Sequence, residues 1–350
     1  MANISSAATG DWNATSTWSG GAVPVAGDLV TILNTHDVTL TQDQPAGAVV
    51  INSGGTLTGG GFKLTLNDNA GTTFIFSNVG TISGNLDIDI TGGSADRPIY
   101  EVGTGSIRNL TINNAQTYNL HDNLSLSGNL TLTIGTLTTV NSGGTNNSLT
   151  VTGRTDIGPA SGSADQATLT CNASTVSLGS GRTSSYGLIV NQGGTFVGGS
   201  GNHTIGSIET KNNSNAKCTL TSGVTTIDSE NTSDNFALSI EAASTFDDGN
   251  GTVTFTIGDS TRIRTNTKPL YNVIVNNANA SIEYVGDQTI DNDLTVTAGK
   301  FRYNSFEDLT VTGDVSVTGI LGHPNVATTS DSTFGSLTIN SGGEYKAPSG

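Results

Sequence analysis

Short runs in which an aliphatic residue alternates with Thr, Ser, Asn or Asp recur along the whole chain, and three of them recur in the same order. "NLTINNA" begins at Asn109 and "NVIVNNA" at Asn272, an offset of 163 residues. "NLTLTIGTL" from Asn129 aligns with "DLTVTAGKF" from Asp293 at 164, and "LTVTGRTDIG" from Leu149 with "LTVTGDVSVTG" from Leu309 at 160. Offsets this similar fit loop-length changes between fixed strands, so the chain carries a long internal repeat. Successive strand starts at Leu110, Leu130 and Leu149 lie 20 and 19 residues apart. That is the length of one coil of a β-solenoid rather than of a long hairpin.

The alternation has a physical reading. In "LTVTG", Leu309 and Val311 face one side and Thr310 and Thr312 the other, because side chains alternate across a strand. One coil cannot bury its apolar row. Coils stacked in parallel about 4.8 Å apart bury it against the next coil and pair every backbone amide. The expected fold is all-β, a parallel β-helix (β-solenoid) with an amino-terminal cap. At roughly 20 residues per coil it would hold about 15 coils in a rod of about 70–80 Å. Residues 1–48 are read as the cap and first coils, and 49–350 as the repetitive shaft, continuing further or covered by a partner. An apolar-x-apolar-Asn signature ends at Asn52, Asn113, Asn191, Asn276 and Asn340. These Asn residues are expected at strand ends, in the left-handed backbone of corners and in side-chain ladders. The competing architecture is a row of antiparallel sandwiches. Each of those would carry its own buried Trp or tyrosine corner, whereas both tryptophans, Trp12 and Trp18, lie at the amino terminus.

Composition agrees with strands and turns. The 350 residues include 46 Gly, and only 34% are hydrophobic and 12% charged, thin for a spherical core and adequate for a narrow one. With 13 Lys+Arg against 29 Asp+Glu, the net charge of −16 leaves no basic patch for nucleic acid. No run approaches the roughly 20 apolar residues of a membrane span, so no membrane insertion is expected, and the first residues lack the pattern of a Sec-type leader. Cys171 and Cys218 share the parity of Leu169 and Leu220. They read as inward reduced thiols, or as a disulfide if the fold stacks them on neighbouring turns.

The segment from Trp18 fits Trp-x-Gly-Gly-x-x-Pro-x-x-Gly-Asp-x-Val-x-Ile, met by Trp18, Gly20, Gly21, Pro24, Gly27, Asp28, Val30 and Ile32. It resembles the amino-terminal module of many secreted and viral parallel β-helix proteins, including the eight-glycine domain. The rest is similar to the Thr/Asn/Gly-rich repeats of phage virion fibres, of tail-fibre or tailspike type, and of bacterial adhesins. The resemblance implies a structural or attachment protein located on a virion. Its partners would be a second and third copy in a homo-oligomer such as a trimer, other virion structural proteins, and host surface glycans. A bacterial cell-surface adhesin or matrix protein is the alternative. Trp12 and Trp18 are read as plugging the open end of the core, or else as an exposed sugar platform.

Chemistry is sparse. A glycan-cleaving enzyme would need two carboxylates facing each other in a groove. The candidates are Asp87 and Asp89 in "LDIDI", Asp247 and Asp248 in "TFDDGNGT", and Asp287, Asp291 and Asp293 in "GDQTIDNDL". In so acidic a chain these read first as solvated acids, and no basic residue is expected to cluster with them. No catalytic or metal-binding residue is assigned, and no particular binding residue. "DDGNG" lacks the spacing of a calcium loop and reads as a turn. No cofactor is expected, beyond weak calcium binding by the acidic surface. His36, His121, His203 and His323 are far apart, without partners at zinc spacing. The pairs Thr131/Thr133, Thr150/Thr152, Thr295/Thr297 and Thr310/Thr312 would suit an ice-ordering array, but Ser125, Asp87 and Ile274 interrupt comparable outward positions.

Overall fold

A computed structural model describes residues 1–68, 71–93, 96–159, 166–303, 307–322 and 330–347. The chain winds into about 15 stacked parallel turns with almost no helix. It forms two compact units, one of Met1–Pro159 with Gln166–Ser174 and one built on Thr175–Gly350. Helical residues among those described are confined to the single 3-10 turns Thr15–Thr17 and Ser19–Gly21. No described helix is long and apolar enough to cross a membrane.

Alternation places the core. In the first unit, one inward column runs Ile4, Val30, Val49, Phe76, Ile99, Leu120, each paired in parallel register with the next. A second runs Ala46, Leu66, Ile90, Ile112, Leu132, Ile157. All twelve are buried, and burying an aliphatic side chain of this size contributes roughly 1.5–3 kcal/mol. In the second unit a column runs Val176, His203, Thr225, Val253, Val273, Leu294, Val315; by the repeat offset Val273 matches Leu110, so its first-unit counterpart is Gln44, Leu64, Ile88, Leu110, Leu130, Thr155. Strands within each unit pair in parallel, which rules out sandwiches. Antiparallel contacts among the described residues are isolated bridges, such as Ser6 with Trp18.

The internal repeat is structural. Ile107–Leu120 pairs with Leu130–Thr138 in the first unit, and Asn272–Tyr284 with Leu294–Tyr303 in the second. In both, the register shifts at the equivalent Asn, Asn113 and Asn276. The chain turns this corner inside a continuous strand, so these two Asn are not strand ends as expected. A glycine on the next coil makes room: Gly135 has φ 99° and Gly299 φ 78°. A Cβ there would fall 2.0 Å from the Asn114 carbonyl oxygen and 2.3 Å from that of Asn277.

The other three signature Asn differ from expectation in another way. Asn52, Asn191 and Asn340 are not left-handed. The glycine two residues later is, with φ 78°, 73° and 87° at Gly54, Gly193 and Gly342. The carbonyl of each Asn accepts the amide three residues on, from Gly55, Gly194 and Gly343, at 2.8, 3.0 and 2.9 Å. Gly carries no Cβ penalty at positive φ, so it takes the strained place in the turn.

Trp12 and Trp18 are buried and pack edge to face, 4.9 Å between centroids. The Trp18 indole N–H donates to the Trp12 carbonyl at 2.6 Å. The exposed sugar platform is therefore overturned. The segment carrying Trp18 lies antiparallel to the first strand: Ala7 N donates to Thr17 O at 2.7 Å and Ser5 N to Ser19 Oγ at 3.2 Å. Cys171 and Cys218 are both buried thiols outside any disulfide, so the disulfide alternative falls. Burial pushes the Cys218 thiol up to about 12.

Candidate functional site

Outward side chains at the corners form ladders. A carbonyl or carboxylate oxygen on one coil accepts the backbone amide of the equivalent residue on the next. Asn109 Oδ1 accepts Asn129 N at 2.7 Å, and Asn129 Oδ1 accepts Arg154 N at 2.8 Å. In the second copy of the repeat, Asn272 Oδ1 accepts Asp293 N at 3.2 Å and Asp293 Oδ1 accepts Asp314 N at 2.9 Å. Aspartate replaces asparagine here because only the acceptor oxygen is used. The ladder expected of the signature Asn is thus built mainly by Asn and Asp at strand starts. Sequence reasoning missed them, although their recurrence at coil spacing was visible.

Beside the second of these ladders lies a cavity of about 240 Å³, lined by Thr252, Asn272, Val273, Ile274, Asn292, Asp293 and Thr295. Three consecutive coils supply it, since Thr252 pairs with Asn272 and Ile274 with Thr295. Asn292 Nδ2 donates to Asn272 Oδ1 at 2.9 Å, and Asn272 Nδ2 to Thr252 Oγ1 at 3.5 Å. The amides are held in place by these bonds, while the hydroxyls of Thr252 and Thr295 and the carboxylate of Asp293 remain as polar contacts around the short apolar floor of Val273 and Ile274. This arrangement suits a hydroxyl-rich ligand, which can donate to the carboxylate, accept from amides and lay a C–H face on the aliphatic groups.

The sequence candidates fall into distinct settings. Asp293 lines this groove. Asp291 lies near Asp248, and its charge, with that of Asp247, helps raise the Asp248 carboxyl, burial being the largest cause. Asp247 and Asp248 close a turn as expected: their Oδ1 atoms accept Gly249 N at 2.8 Å and Asn250 N at 2.9 Å. Asp287 is occupied in a ladder, accepting Asp308 N at 3.0 Å. The expectation that no base approaches the acids is wrong for the first copy. Arg108 forks onto Asp87, with Nε to Oδ1 at 2.7 Å and Nη2 to Oδ2 at 2.6 Å, and Lys63 meets Asp89 at 2.9 Å. The hydrogen bond to Asp87 is the main reason that the Arg108 pKa is raised, and the bond to Asp89 plays the same part for Lys63. These partners are one coil apart, which linear inspection does not bring together.

Among the described residues no group of three or more His, Cys, Asp or Glu is arranged to hold a metal ion. His36 Nδ1 lies 2.7 Å from Ser6 Oγ, and His121 stacks on Tyr100 at 4.0 Å. His203 is buried in the core column and burial lowers its pKa to about 4. His323 lies outside the described residues. Outward columns mix residue types, as in Asp89, Thr111, Thr131, Asp156 and in Thr254, Ile274, Thr295, Ser316, Thr338, rather than forming a uniform Thr array. No family model, no curated protein and no solved structure matches this chain.

Proposed function

We propose that this chain is a non-enzymatic attachment protein of a virion, a β-solenoid shaft of phage tail-fibre or tailspike type that contacts host surface glycans. The observation that carries the reading is the polar groove over Val273 and Ile274, a fixed set of amide, hydroxyl and carboxylate groups on a rigid ladder. Such a site binds one sugar unit weakly, and copies arrayed in a homotrimer on a particle raise the avidity. The resemblance of the Trp18–Ile32 segment to amino-terminal β-helix modules and the stiffness of a fully laddered coil support the same reading.

The test pairs location with binding. Antibody labelling of intact phage particles and of bacterial surfaces separates virion protein from adhesin: label on the particle supports the proposal and label on the cell envelope alone overturns it. Retention on immobilised host polysaccharide is then compared between wild type and Thr295→Arg, which fills the groove from an outward position. Loss of retention at unchanged melting temperature is expected. Equal retention removes the groove from the binding surface, and release of new reducing ends would replace attachment with hydrolysis.

A further inference from the structure

The corner after Phe76–Asn78 and its successor after Arg97–Glu101 carry a pair of groups that the attachment reading does not use. Asn78 and Glu101 are register partners on adjacent coils. Asn78 is fully buried, and its Nδ2 donates to Glu101 Oε1 at 2.7 Å. The two atoms geminal to that bond, Asn78 Oδ1 and Glu101 Oε2, are both buried and both lack a hydrogen-bond partner. Two buried acceptors without a donor are costly, because each has given up its bonds to water without replacement. Backbone donors at this corner are already committed elsewhere: Val102 N and Gly103 N both go to the Asn78 carbonyl, at 3.0 and 2.9 Å.

We propose that Glu101 is held as a carboxylic acid in mildly acidic medium, its Oε2–H donating to Asn78 Oδ1, so that the two side chains form a cyclic acid–amide pair latching adjacent coils. One proton added at Oε2 satisfies both orphaned acceptors and leaves the existing Nδ2–Oε1 bond intact. The surroundings favour it. Burial pushes the Glu101 carboxyl up to about 7; the bond from Asn78 opposes this shift, and the charge of Asp122 adds to it. Asp122 is the charged group that faces Glu101 from the following coil, itself 3.2 Å from His121 Nδ1; from the preceding coil the facing group is the neutral Asn78. The latch holds in mildly acidic medium, is half open near pH 7 and opens fully as the medium turns alkaline, when a carboxylate would face Asp122 and the Asn78 oxygen.

The sign follows from linkage. A carboxyl raised in the folded state contributes stability that is fully present below about 4.5 and is lost as pH rises through about 7. Glu101→Gln reproduces the paired form without a titratable proton, its amide donating where the acid did. Denaturant unfolding of wild type and E101Q between pH 5 and 8.5 is the experiment. The unfolding constant of wild type relative to E101Q should grow about 70-fold across that range, most of it between pH 5 and 7. A ratio that stays constant, or one that changes only near pH 4.5, overturns the proposal. Should E101Q fail to fold, the 13Cδ shift of Glu101 in the wild-type chain decides: a midpoint near 7 supports the latch and one near 4.5 sinks it. A midpoint that moves down by a unit or more in millimolar calcium chloride would mean that a cation joins these oxygens, and would also overturn it.

Discussion

The two copies of the internal repeat share a backbone and differ in what they present outward. In the first, Asn109 and Asn129 build the corner ladder; in the second, Asn272 and Asp293 occupy the equivalent positions and make the same bonds to the next coil. Gly153 and Gly313 then lie under that oxygen, where a Cβ would come within 2.3 and 2.4 Å of it. Around this common frame, Asp87, Arg108 and Gly128 of the first copy correspond to Thr252, Tyr271 and Asn292 of the second. Arg108 spreads its guanidinium over Asp87 and reaches the Gly61 carbonyl at 3.2 Å. The second copy has neither charge, and the groove lies there. The frame is thus fixed by backbone hydrogen bonds and glycine clearance, and the outward surface of each copy is set by three residues that the frame does not constrain.

The strongest way to break this equivalence is at the bent corner. Gly135→Ala and Gly299→Ala each force a Cβ into a carbonyl oxygen of the neighbouring coil and into a left-handed backbone. Each should cost about 3–4 kcal/mol, close packing and backbone strain acting together. Chemical denaturation checks both; a variant that loses less than about 1 kcal/mol would show that its corner is not built like the other.

That corner also marks how far the sequence could be read. The stacking, the inward parity of Leu309 and Val311, and the repeat itself were legible because a period of two and an offset near 163 are linear properties. The corners were misjudged, since the sequence does not say whether Asn113 ends a strand or sits in a bulge. That depends on the clearance Gly135 gives from the next coil. The Arg108–Asp87 fork and the Lys63–Asp89 pair were missed for the same reason: their partners are adjacent along the stack and 21 to 26 residues apart in sequence. The groove was half-legible. Asp293 was named, but as one of a run of acids rather than as a ladder member beside Asn272 and Thr252.

The core columns sharpen the comparison next. The first-unit column Gln44, Leu64, Ile88, Leu110, Leu130, Thr155 holds no ionisable group, whereas its counterpart in the second unit places His203 beside Thr225. Neither ring nitrogen of His203 nor Thr225 Oγ1 has a hydrogen-bond partner. A histidine whose folded pKa lies below its unfolded value contributes stability that is present above about 6.5 and is lost as pH falls through about 4. Wild type should lose up to about 3 kcal/mol over this window, and His203→Leu should remove that loss. Hydrogen exchange followed by mass spectrometry at pH 4.5 locates it: protection should fall first in the coils around His203–Ile205. Equal loss in both units would mean that the acid response comes from carboxylates shared by both, not from this column.

The smallest expected change in stability carries the most information about function. Thr252→Asp with Tyr271→Arg writes the first copy's fork into the second, and Asp87→Thr with Arg108→Tyr does the reverse. Both pairs lie at partly exposed positions, where an ion pair contributes at most about 1 kcal/mol and is screened by salt, so both double variants should fold with melting curves close to wild type. Retention on host polysaccharide should nonetheless diverge. The grafted guanidinium covers the groove and abolishes retention, while the reverse exchange uncovers polar ladder groups in the first unit and adds a weak second site. If the grafted fork forms, as a salt-dependent shift in stability would report, and retention is unaffected, then the difference between the copies is decoration and the ligand is held elsewhere on the coil.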